Sequence, residues 1–367
     1  MEFSGLDSTK KKTDASGEKK SRLVIDYRKI NQKTISDTYP MPEIANILDQ
    51  LGGNTYFTTL DLASGFHQVK MNPADIEKTA FSVNNGKYEF LRMPFGLKNA
   101  PAVFQRMIDD ILREHIGKKC YPYIDDVVVF GKDLEEHNQN LEIVLQTLEK
   151  SNLKVQLDKS EFLRTSVEFL GYIITSKGIQ PNPKKIEVIE KWPEPKNIKE
   201  LRGFLGLIGY YRRFVKDFAK LAKPLTNLLR GERNLDSKKS IKFSIPENEC
   251  FERLKKIITS NDILTYPDYK KPFLITTDAS NYAIGAVLSQ GELGRDKPIH
   301  FASRTLNRTE ENYSATEKEL LAIHWALKVF RNYIYGQKFK IVTDHQPLTF
   351  SLSAKNINAK LKRWKPR

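Results

Sequence analysis

The sequence predicts an α+β fold that is followed by a helical region and then by a second, α/β domain. Three observations predict this order. Up to about residue 180, β-rich runs alternate with stretches whose apolar residues recur at helical spacing; residues 181–262 are mostly helical; and a new strand and helix alternation begins at Lys271. The predicted domains cover residues 1–180, 181–262 and 263–367, and a chain of 367 residues is long enough for two or three domains.

The composition indicates a folded, basic protein. Hydrophobic residues make up 40% of the chain, and 60 Lys and Arg against 45 Asp and Glu give a formal net charge of +15. Because the basic excess is spread along the chain, it favours a polyanionic partner, and nucleic acid is the leading candidate. A membrane surface is the competing polyanion, but no stretch approaches the roughly 20 apolar residues that span a bilayer.

Cysteine and histidine usage excludes two further classes of protein. The two cysteines, Cys120 and Cys250, lack CxxC spacing, and the six histidines are scattered without HxxxH spacing. The sequence therefore predicts neither a disulfide framework nor a structural zinc site. The first residues form no apolar signal segment, so we expect a protein that is not secreted and that works in a reducing compartment.

Local signals predict most individual elements. Lysines on both sides of residues 13–17 predict a basic hairpin, and Asn99 is predicted to cap a helix that has Pro101 in its first turn. Capping patterns of an acid, amide or hydroxyl side chain with a glutamate three residues later predict three more helix starts, at Asp133, Asn197 and Ser314. The remaining signals are a helix over residues 44–51, a hairpin turn at residues 84–86, and strands over residues 23–28, 55–62, 167–174, 273–278 and 339–344.

Two adjacent carboxylates, Asp125 and Asp126, interrupt an apolar, β-branched run over residues 120–130. Burying a carboxylate without a partner costs several kcal/mol, so this placement favours a nearby cation, of which a divalent metal is the simplest. The alternative is a solvated turn between two strands, which is what most Asp-Asp pairs form. These residues alone favour the turn.

Further acids follow β-rich runs elsewhere in the chain. Asp61 ends such a run in the first region, and Asp278 and Asp344 end two strands in the last, where Glu319 lies early in a helix. Phosphoryl chemistry on nucleic acid uses two Mg²⁺ ions roughly 3.5–4 Å apart, and these hard cations prefer carboxylate oxygens. Each of the two groups of acids therefore has the composition of a two-metal site.

Seven short motifs in the chain are distinctive when they are taken together. They are Tyr123-Ile124-Asp125-Asp126 and residues 60–68 (LDLASGFHQ), 91–101 (LRMPFGLKNAP), 169–172 (FLGY), 204–212 (FLGLIGYYR), 277–280 (TDAS) and 317–323 (EKELLAI). In their order along the chain they resemble the reverse transcriptase and RNase H region of gypsy-type LTR retrotransposon (Metaviridae) polyproteins. The resemblance extends from residue 22 to about residue 365.

The resemblance implies a right-hand polymerase followed by an RNase H-like domain. Residues 1–180 correspond to the fingers and palm, residues 181–262 to the thumb and connecting region, and residues 263–367 to an α/β RNase H-like domain. Because the family carries a fourth carboxylate after a fifth strand, the sequence predicts an RNase H-like domain that lacks its C-terminal part and is impaired. Upstream fingers residues are also missing, so we expect a fragment that is truncated at both ends.

The resemblance also implies roles for the polymerase residues. Asp61, Asp125 and Asp126 would be catalytic and would hold two Mg²⁺ ions. Arg22 matches the fingers arginine that clamps the incoming triphosphate, and Lys12 would be its partner.

Two phenylalanines match positions beside the nucleotide. Phe66 matches the steric gate that excludes a ribose 2′-hydroxyl; the alternative is a core phenylalanine beside a glycine. Phe95 would pack under the templating base pair, where retroviral relatives carry a glutamine.

Two other matched regions concern the nucleic acid. Leu170, Gly171 and Tyr172 match the primer grip. Asp278, Glu319 and Asp344 match catalytic, metal-binding carboxylates of RNase H, which would also hold two Mg²⁺ ions in a competent domain. Glu317 competes with Glu319 for this assignment, but its predicted capping position gives it a structural role.

The resulting functional hypothesis is an RNA-directed DNA polymerase with an attached RNase H domain. Its expected partners are an RNA template, a DNA primer, an RNA–DNA hybrid and dNTPs, without a membrane, and a homodimer is compatible with the family. The expected location is a cytoplasmic virus-like particle or the nucleus. The alternative is a non-catalytic, nucleic-acid-binding relic of a retrotransposon. A host nuclease of the RNase H class would leave residues 22–262 unexplained.

Overall fold

The computed structural model describes residues 25–83, 86–229, 239–260 and 263–343, together with the backbone of residues 12–13 and 19–20. The chain divides into two compact units, Met1–Leu170 and Gly171–Arg367. Strands and helices occur in both units, which confirms the mixed α and β class. The finer division into three domains stays a prediction.

The first unit contains one main sheet, two short hairpins and four helices among its described residues. Three short 3-10 helices, Gly65–Gln68, Pro73–Thr79 and Leu157–Lys159, connect these elements. In chain order, the strands and helices are β1 (Lys12–Thr13), β2 (Lys19–Lys20), α1 (Arg28–Lys33), α2 (Ile44–Asp49), β3 (Tyr56–Asp61), β4 (Phe81–Val83), β5 (Gly86–Tyr88), α3 (Ala100–Leu112), β6 (Cys120–Tyr123), β7 (Asp126–Gly131), α4 (Leu134–Lys150), β8 (Glu161–Arg164) and β9 (Ser166–Phe169).

The main sheet of this unit has the strand order β6-β7-β3-β8. Strands β3 and β7 pair antiparallel in a continuous register from Tyr56 opposite Gly131 to Asp61 opposite Asp126. Helices α3 and α4 cover the sheet with fully buried side chains, among them Phe104. This apolar layer fixes the two central strands, and with them the end of the sheet where the acids lie.

Several local predictions hold in the first unit. Strands β1 and β2 pair antiparallel, as the lysine pattern predicts, and the β4–β5 hairpin pairs Val83 with Gly86. The Asp133 side chain accepts a hydrogen bond from Glu136 N at 2.9 Å, which caps α4 as expected. These are the places where a short sequence signal fully specifies the local backbone.

Two local predictions in this unit are wrong in detail. Arg28 begins helix α1 instead of ending a strand. Asn99 does precede α3, but its side chain does not cap the helix; it bonds the preceding segment instead, accepting from Asp37 N at 3.1 Å and donating to Ile35 O at 2.8 Å. Asn99 therefore fixes a connection between elements that are distant in sequence, which a local capping pattern does not reveal.

The second unit combines a helical region with a second four-stranded sheet. A short 3-10 helix, Arg212–Phe214, lies between its longer elements. In chain order these are β10 (Tyr172–Thr175), β11 (Gly178–Pro181), α5 (Pro183–Glu190), α6 (Ile198–Tyr210), α7 (Phe218–Leu221), α8 (Lys223–Asn227), α9 (Ile245–Thr259), β12 (Phe273–Ala279), β13 (Ala283–Gln290), β14 (Lys297–Thr305), α10 (Arg308–Glu311), α11 (Ala315–Val329), α12 (Arg331–Ile334) and β15 (Phe339–Val342).

A turn divides the strand that the sequence predicts over residues 167–174. Leu170 and Gly171 both have positive φ, at 49° and 77°, so the extended run stops after β9 and starts again at β10. The glycine in the middle of the β-rich run is the signal for this break, because glycine adopts left-handed backbone at little cost.

The sheet of the second unit has the order β14-β13-β12-β15, and β12 pairs with β15 in parallel. Helices α11 and α12 pack on one face, where Phe330 is fully buried. The segment from Arg212 to Leu221 packs on β13 and β14, and Ala219 N donates to Ser303 Oγ at 2.9 Å. Within the described part of the chain, no helix is both long and apolar enough to cross a membrane.

Candidate active site

The strand register of the first unit brings two of the predicted carboxylates together. Asp61, the last residue of β3, lies directly opposite Asp126, the first residue of β7. Leu62 N also donates a hydrogen bond to Asp125 O at 2.8 Å. Directly opposed residues of an antiparallel pair have Cβ atoms about 4.5–5.5 Å apart, so the Asp61 and Asp126 side chains are close neighbours.

The turn between β6 and β7 sets the direction of the adjacent Asp125. Ile124 has φ 52°, in the left-handed region that β-branched residues rarely adopt. Asp125 Oδ1 is buried, and the carboxylate lies against the backbone of Gly65. A Cβ atom at residue 65 would come within 2.5 Å of Asp125 Cγ, so only glycine leaves room for this carboxylate.

Lys159 adds a positive charge that the sequence analysis missed. Its Nζ lies 3.5 Å from Asp61 Oδ1. The neighbouring Ser160 accepts a hydrogen bond from Asp61 N at 3.2 Å through its hydroxyl group. No local pattern marks Lys159, because it reaches Asp61 only through the fold of a segment about 100 residues away in sequence.

The electrostatics of the pair follow from this geometry. The pKa of Asp126 is raised from 3.8 to about 6, chiefly because the surrounding protein desolvates its carboxyl group and also because Asp61 repels its charge, while Lys159 acts in the opposite direction. Two carboxylates with one partly exposed lysine remain a site of excess negative charge. Such a donor set fits a hard divalent cation, which would relieve the repulsion.

Phe66 follows Gly65 directly and lies among other aromatic rings. Its ring centroid is 5.1 Å from that of Phe95 and 5.8 Å from that of the buried Phe104. The Phe95 ring also contacts His67 edge to face at 5.1 Å. Phe66 is half-buried against the core while its backbone adjoins the Asp125 site, so the core and gate interpretations both fit its position.

The other predicted nucleotide contacts fall largely outside the described residues. Arg22 lies outside them altogether. Lys12 belongs to strand β1, where its backbone pairs with Lys20, but its side chain is outside the description. Their predicted contact with a triphosphate stays a prediction.

The predicted primer-grip residues form a turn that tyrosines hold in place. Tyr211 Oη donates to Gly171 O at 2.9 Å, and Tyr172 Oη donates to Tyr210 O at 3.0 Å. The rings of Tyr172 and Tyr210 stack at 5.2 Å, and Tyr210 remains 39% exposed. The end of α6 therefore fixes the backbone that follows Leu170.

In the second unit, Asp278 lies near the end of β12, directly opposite Gly285 of β13. Asp217, a residue that the sequence analysis did not single out, occupies the space where a Cβ atom of Gly285 would be. Partial burial raises the pKa of Asp217, and the charge of Asp278 raises it further. Asp217 and Asp278 are therefore neighbours on one face of the sheet.

The proximity of the other two predicted RNase H acids to Asp278 stays a prediction. Glu319 is 8% exposed in α11, a helix whose Leu321 and Ala322 pack against Ala279. Since neighbouring strand residues point to opposite faces, Asp278 faces away from that apolar contact. Asp344 lies outside the described residues. Among those described, Asp61, Asp125 and Asp126 included, no group of three or more His, Cys, Asp or Glu side chains is already arranged to hold a metal ion.

Two family models match the chain. The model for reverse transcriptase (RNA-dependent DNA polymerase) matches residues 9–174, and the model for the RNase H-like domain found in reverse transcriptase matches residues 268–366. The chain belongs to the reverse transcriptase family. This match confirms the family resemblance that the sequence motifs indicate.

Similar proteins extend this result. The chain is 58% identical to the retrovirus-related Pol polyprotein from transposon opus and 50% identical to that from transposon gypsy, both of Drosophila melanogaster, over 97% of its own length. It spans 36% and 35% of the lengths of those two polyproteins. A foamy viral protease-reverse transcriptase structure in complex with double-stranded DNA matches 94% of this chain and 60% of that chain, with a TM-score of 0.80 and 27% identity. A second, in complex with an RNA/DNA hybrid, matches 94% of this chain and 46% of that chain, with a TM-score of 0.76 and 27% identity.

Proposed function

We propose that this chain is an RNA-directed DNA polymerase that extends a DNA primer on a retrotransposon RNA template with dNTPs. The observation that carries the proposal is the strand register that sets Asp61 opposite Asp126. The carboxylate of Asp125, the residue before Asp126, lies against the backbone of Gly65. The similarity to transposon Pol polyproteins and to reverse transcriptases in complex with double-stranded DNA and with an RNA/DNA hybrid supports the nucleic-acid substrates. A cytoplasmic virus-like particle is the proposed setting, and a homodimer the proposed assembly.

In this proposal Asp61, Asp125 and Asp126 hold two Mg²⁺ ions. When bound, the ions would activate the primer 3′-hydroxyl and stabilise the departing pyrophosphate. The protein's own contribution is positional. The β3–β7 pairing sets two carboxylates opposite each other, Gly65 leaves room for the third, and Lys159 adds a positive charge next to Asp61.

Primer extension on an RNA template with dNTPs and Mg²⁺ tests the proposal. We expect the chain to extend the primer and Asp125→Asn to lose at least about 100-fold in rate, because the substitution removes an anionic metal ligand. Template–primer binding should be unchanged. Equal incorporation by the two proteins would contradict the assignment, and binding without extension by either protein would favour the relic.

The position of Phe66 leads to a prediction about sugar selection. Phe66→Val should let ribonucleotides enter, so the ratio of kcat/KM for dNTP over rNTP should fall by roughly 10- to 100-fold, because a smaller side chain no longer excludes the 2′-hydroxyl. The measurement is single-nucleotide incorporation with matched dNTP and rNTP.

Phe162→Val is the matched control for this substitution. Phe162 packs against the same core as Phe66 but lies on β8, whereas Phe66 directly follows Gly65. Both variants should lose stability, and only Phe66→Val should change sugar selection. If Phe66→Val lowers the thermal midpoint while the selectivity ratio stays constant, Phe66 is a core residue and not a gate.

The second unit supports a second proposed function, cleavage of the RNA strand of a hybrid. The match to an RNase H-like domain favours it, with Asp278, Glu319 and Asp344 as the proposed metal ligands. Asp217 adjoins Asp278 and Lys220 lines the same small pocket, so the packed Arg212 to Leu221 segment restricts access to Asp278.

We therefore expect little or no hybrid cleavage by this chain. The measurement uses a hybrid labelled at the RNA 5′ end, with Mg²⁺, and Asp278→Asn as the control. Robust cleavage that Asp278→Asn abolishes would contradict the expected impairment and would support the nuclease assignment itself.

A further inference from the structure

The backbone of the β6–β7 turn is held by a buried side chain of α3. Gln105 is fully buried, and its Oε1 accepts a hydrogen bond from Ile124 N at 2.7 Å. Ile124 is the left-handed residue that immediately precedes Asp125 and Asp126. Because a buried amide group on a packed helix has little freedom, this contact ties the turn to the rigid core of the unit.

The orientation of the Gln105 amide group is fixed by two acceptors on its other side. Gln105 Nε2 donates to Asp109 Oδ1 at 2.8 Å and approaches Pro122 O at 3.4 Å. A carboxylate and a carbonyl oxygen can only accept, so the amide nitrogen must face them. The amide oxygen must then face Ile124 N, which needs an acceptor.

Tyr39 completes this chain of hydrogen bonds. Its hydroxyl group donates to Asp109 Oδ2 at 2.6 Å, and this hydrogen bond is the main cause that raises the pKa of Tyr39 to about 12. Tyr39 therefore stays a donor, and Asp109 keeps both oxygens as acceptors. Each hydrogen bond in the series that links Tyr39, Asp109, Gln105 and Ile124 therefore has only one possible donor and one possible acceptor.

We propose that Gln105 is a positioning residue of the polymerase site, and that Asp109 acts through it by fixing its amide orientation. This inference rests on the proposed polymerase function. Gln105 acts on the backbone of Ile124, and through it on the direction of the Asp125 and Asp126 carboxylates. Without the correctly oriented amide group, the Ile124 N–H loses its acceptor and the strained turn is free to relax.

A reciprocal exchange of the two side chains tests this role. Gln105→Glu still offers an acceptor to Ile124 N, but it places two carboxylates side by side, and their repulsion should displace the introduced side chain from the turn. Asp109→Asn removes the group that dictates the amide orientation. The double variant Gln105→Glu/Asp109→Asn restores a series of hydrogen bonds with defined directions. The introduced amide group at position 109 donates to the introduced carboxylate at position 105, and that carboxylate accepts from Ile124 N. The α4 pair of Gln146 and Glu142 has the same spacing and bond type on the surface, so Gln146→Glu is the matched control.

We expect each single variant to lower kcat by roughly 10- to 100-fold, because small displacements of reacting groups have effects of this size. KM for dNTP and the affinity for template–primer should stay within about twofold, and binding of Mn²⁺ to the free protein should weaken. The double variant should recover most of the kcat and of the Mn²⁺ affinity. The control should behave as the wild type.

Three outcomes would overturn the proposal. The first is an unchanged kcat in both single variants while the wild type extends primers. The second is a double variant that is no better than the worse single variant, since a residue that matters only for core stability gives no such coupling. The third is a fall in kcat that equals the fraction of protein that thermal unfolding measurements show to be unfolded at the assay temperature. Failure of the wild type to extend any primer would instead contradict the proposed function itself.

Discussion

Replacing Gly65 with alanine is expected to reduce nucleotide incorporation by at least about 100-fold, because a displaced catalytic group has an effect of this order. The added Cβ atom would lie within 2.5 Å of Asp125 Cγ, and Asp125 Oδ1 is buried there. The carboxylate must rotate away or the turn must shift. Single-turnover primer extension measures the chemical step directly.

Gly206→Ala is the control for this substitution. Gly206 lies in helix α6, and nothing lies within 4 Å of the position that its Cβ would occupy. Alanine should therefore preserve activity and add roughly 0.5–1 kcal/mol to helix stability. Activity of Gly65→Ala within twofold of the wild type would show that Asp125 has no fixed position at this site.

Asp126→Asn should abolish polymerisation and, at pH 8 without metal, raise the thermal midpoint of the protein. The pKa of Asp126 in the folded protein is about 6, above its ordinary value of 3.8. The folded state therefore binds this proton more tightly than the unfolded state does. The resulting stabilisation is present below about pH 4 and is lost as the pH rises to about 6.

The expected gain at pH 8 is on the order of 2 °C, because the partly exposed side chain is screened by solvent. The same comparison at pH 4 should show a much smaller gain, since Asp126 is then protonated in the folded state and the pH is close to its ordinary pKa of 3.8 in the unfolded state. Thermal unfolding in metal-free buffer at the two pH values measures both. An equal gain at pH 4 and pH 8 would mean that the charge of Asp126 is not its cause.

Local sequence signals predicted most elements of this fold. The capping patterns at Asn197 and Ser314 correctly located the starts of α6 and α11. The residue types of the proposed polymerase site were also available from sequence, since Asp61, Asp125 and Asp126 stand out as acids at the ends of apolar runs. Short-range rules succeed here because the hydrogen bonds of helix caps and hairpin turns join residues only a few positions apart.

The same rules were wrong where a side chain serves a distant segment. Asn99 was predicted to cap α3 but bonds residues 35 and 37, and the strand over residues 167–174 is divided by the turn at Leu170 and Gly171. In the first case tertiary contacts compete with a local hydrogen bond. In the second the glycine signal was outweighed by the β-rich residues around it.

The sequence by itself determined which acids are available and that the Asp-Asp pair lies in a turn between strands. Only the tertiary structure decided that Asp61 faces Asp126, that Lys159 lies beside Asp61, and that Gln105 holds the turn. These contacts join residues from about 20 to about 100 positions apart, and helical or strand periodicity carries no information about such pairings. The interpretation of Asp125 and Asp126 as a solvated turn describes their backbone, whereas their chemistry depends on the strand register and the packing beneath them.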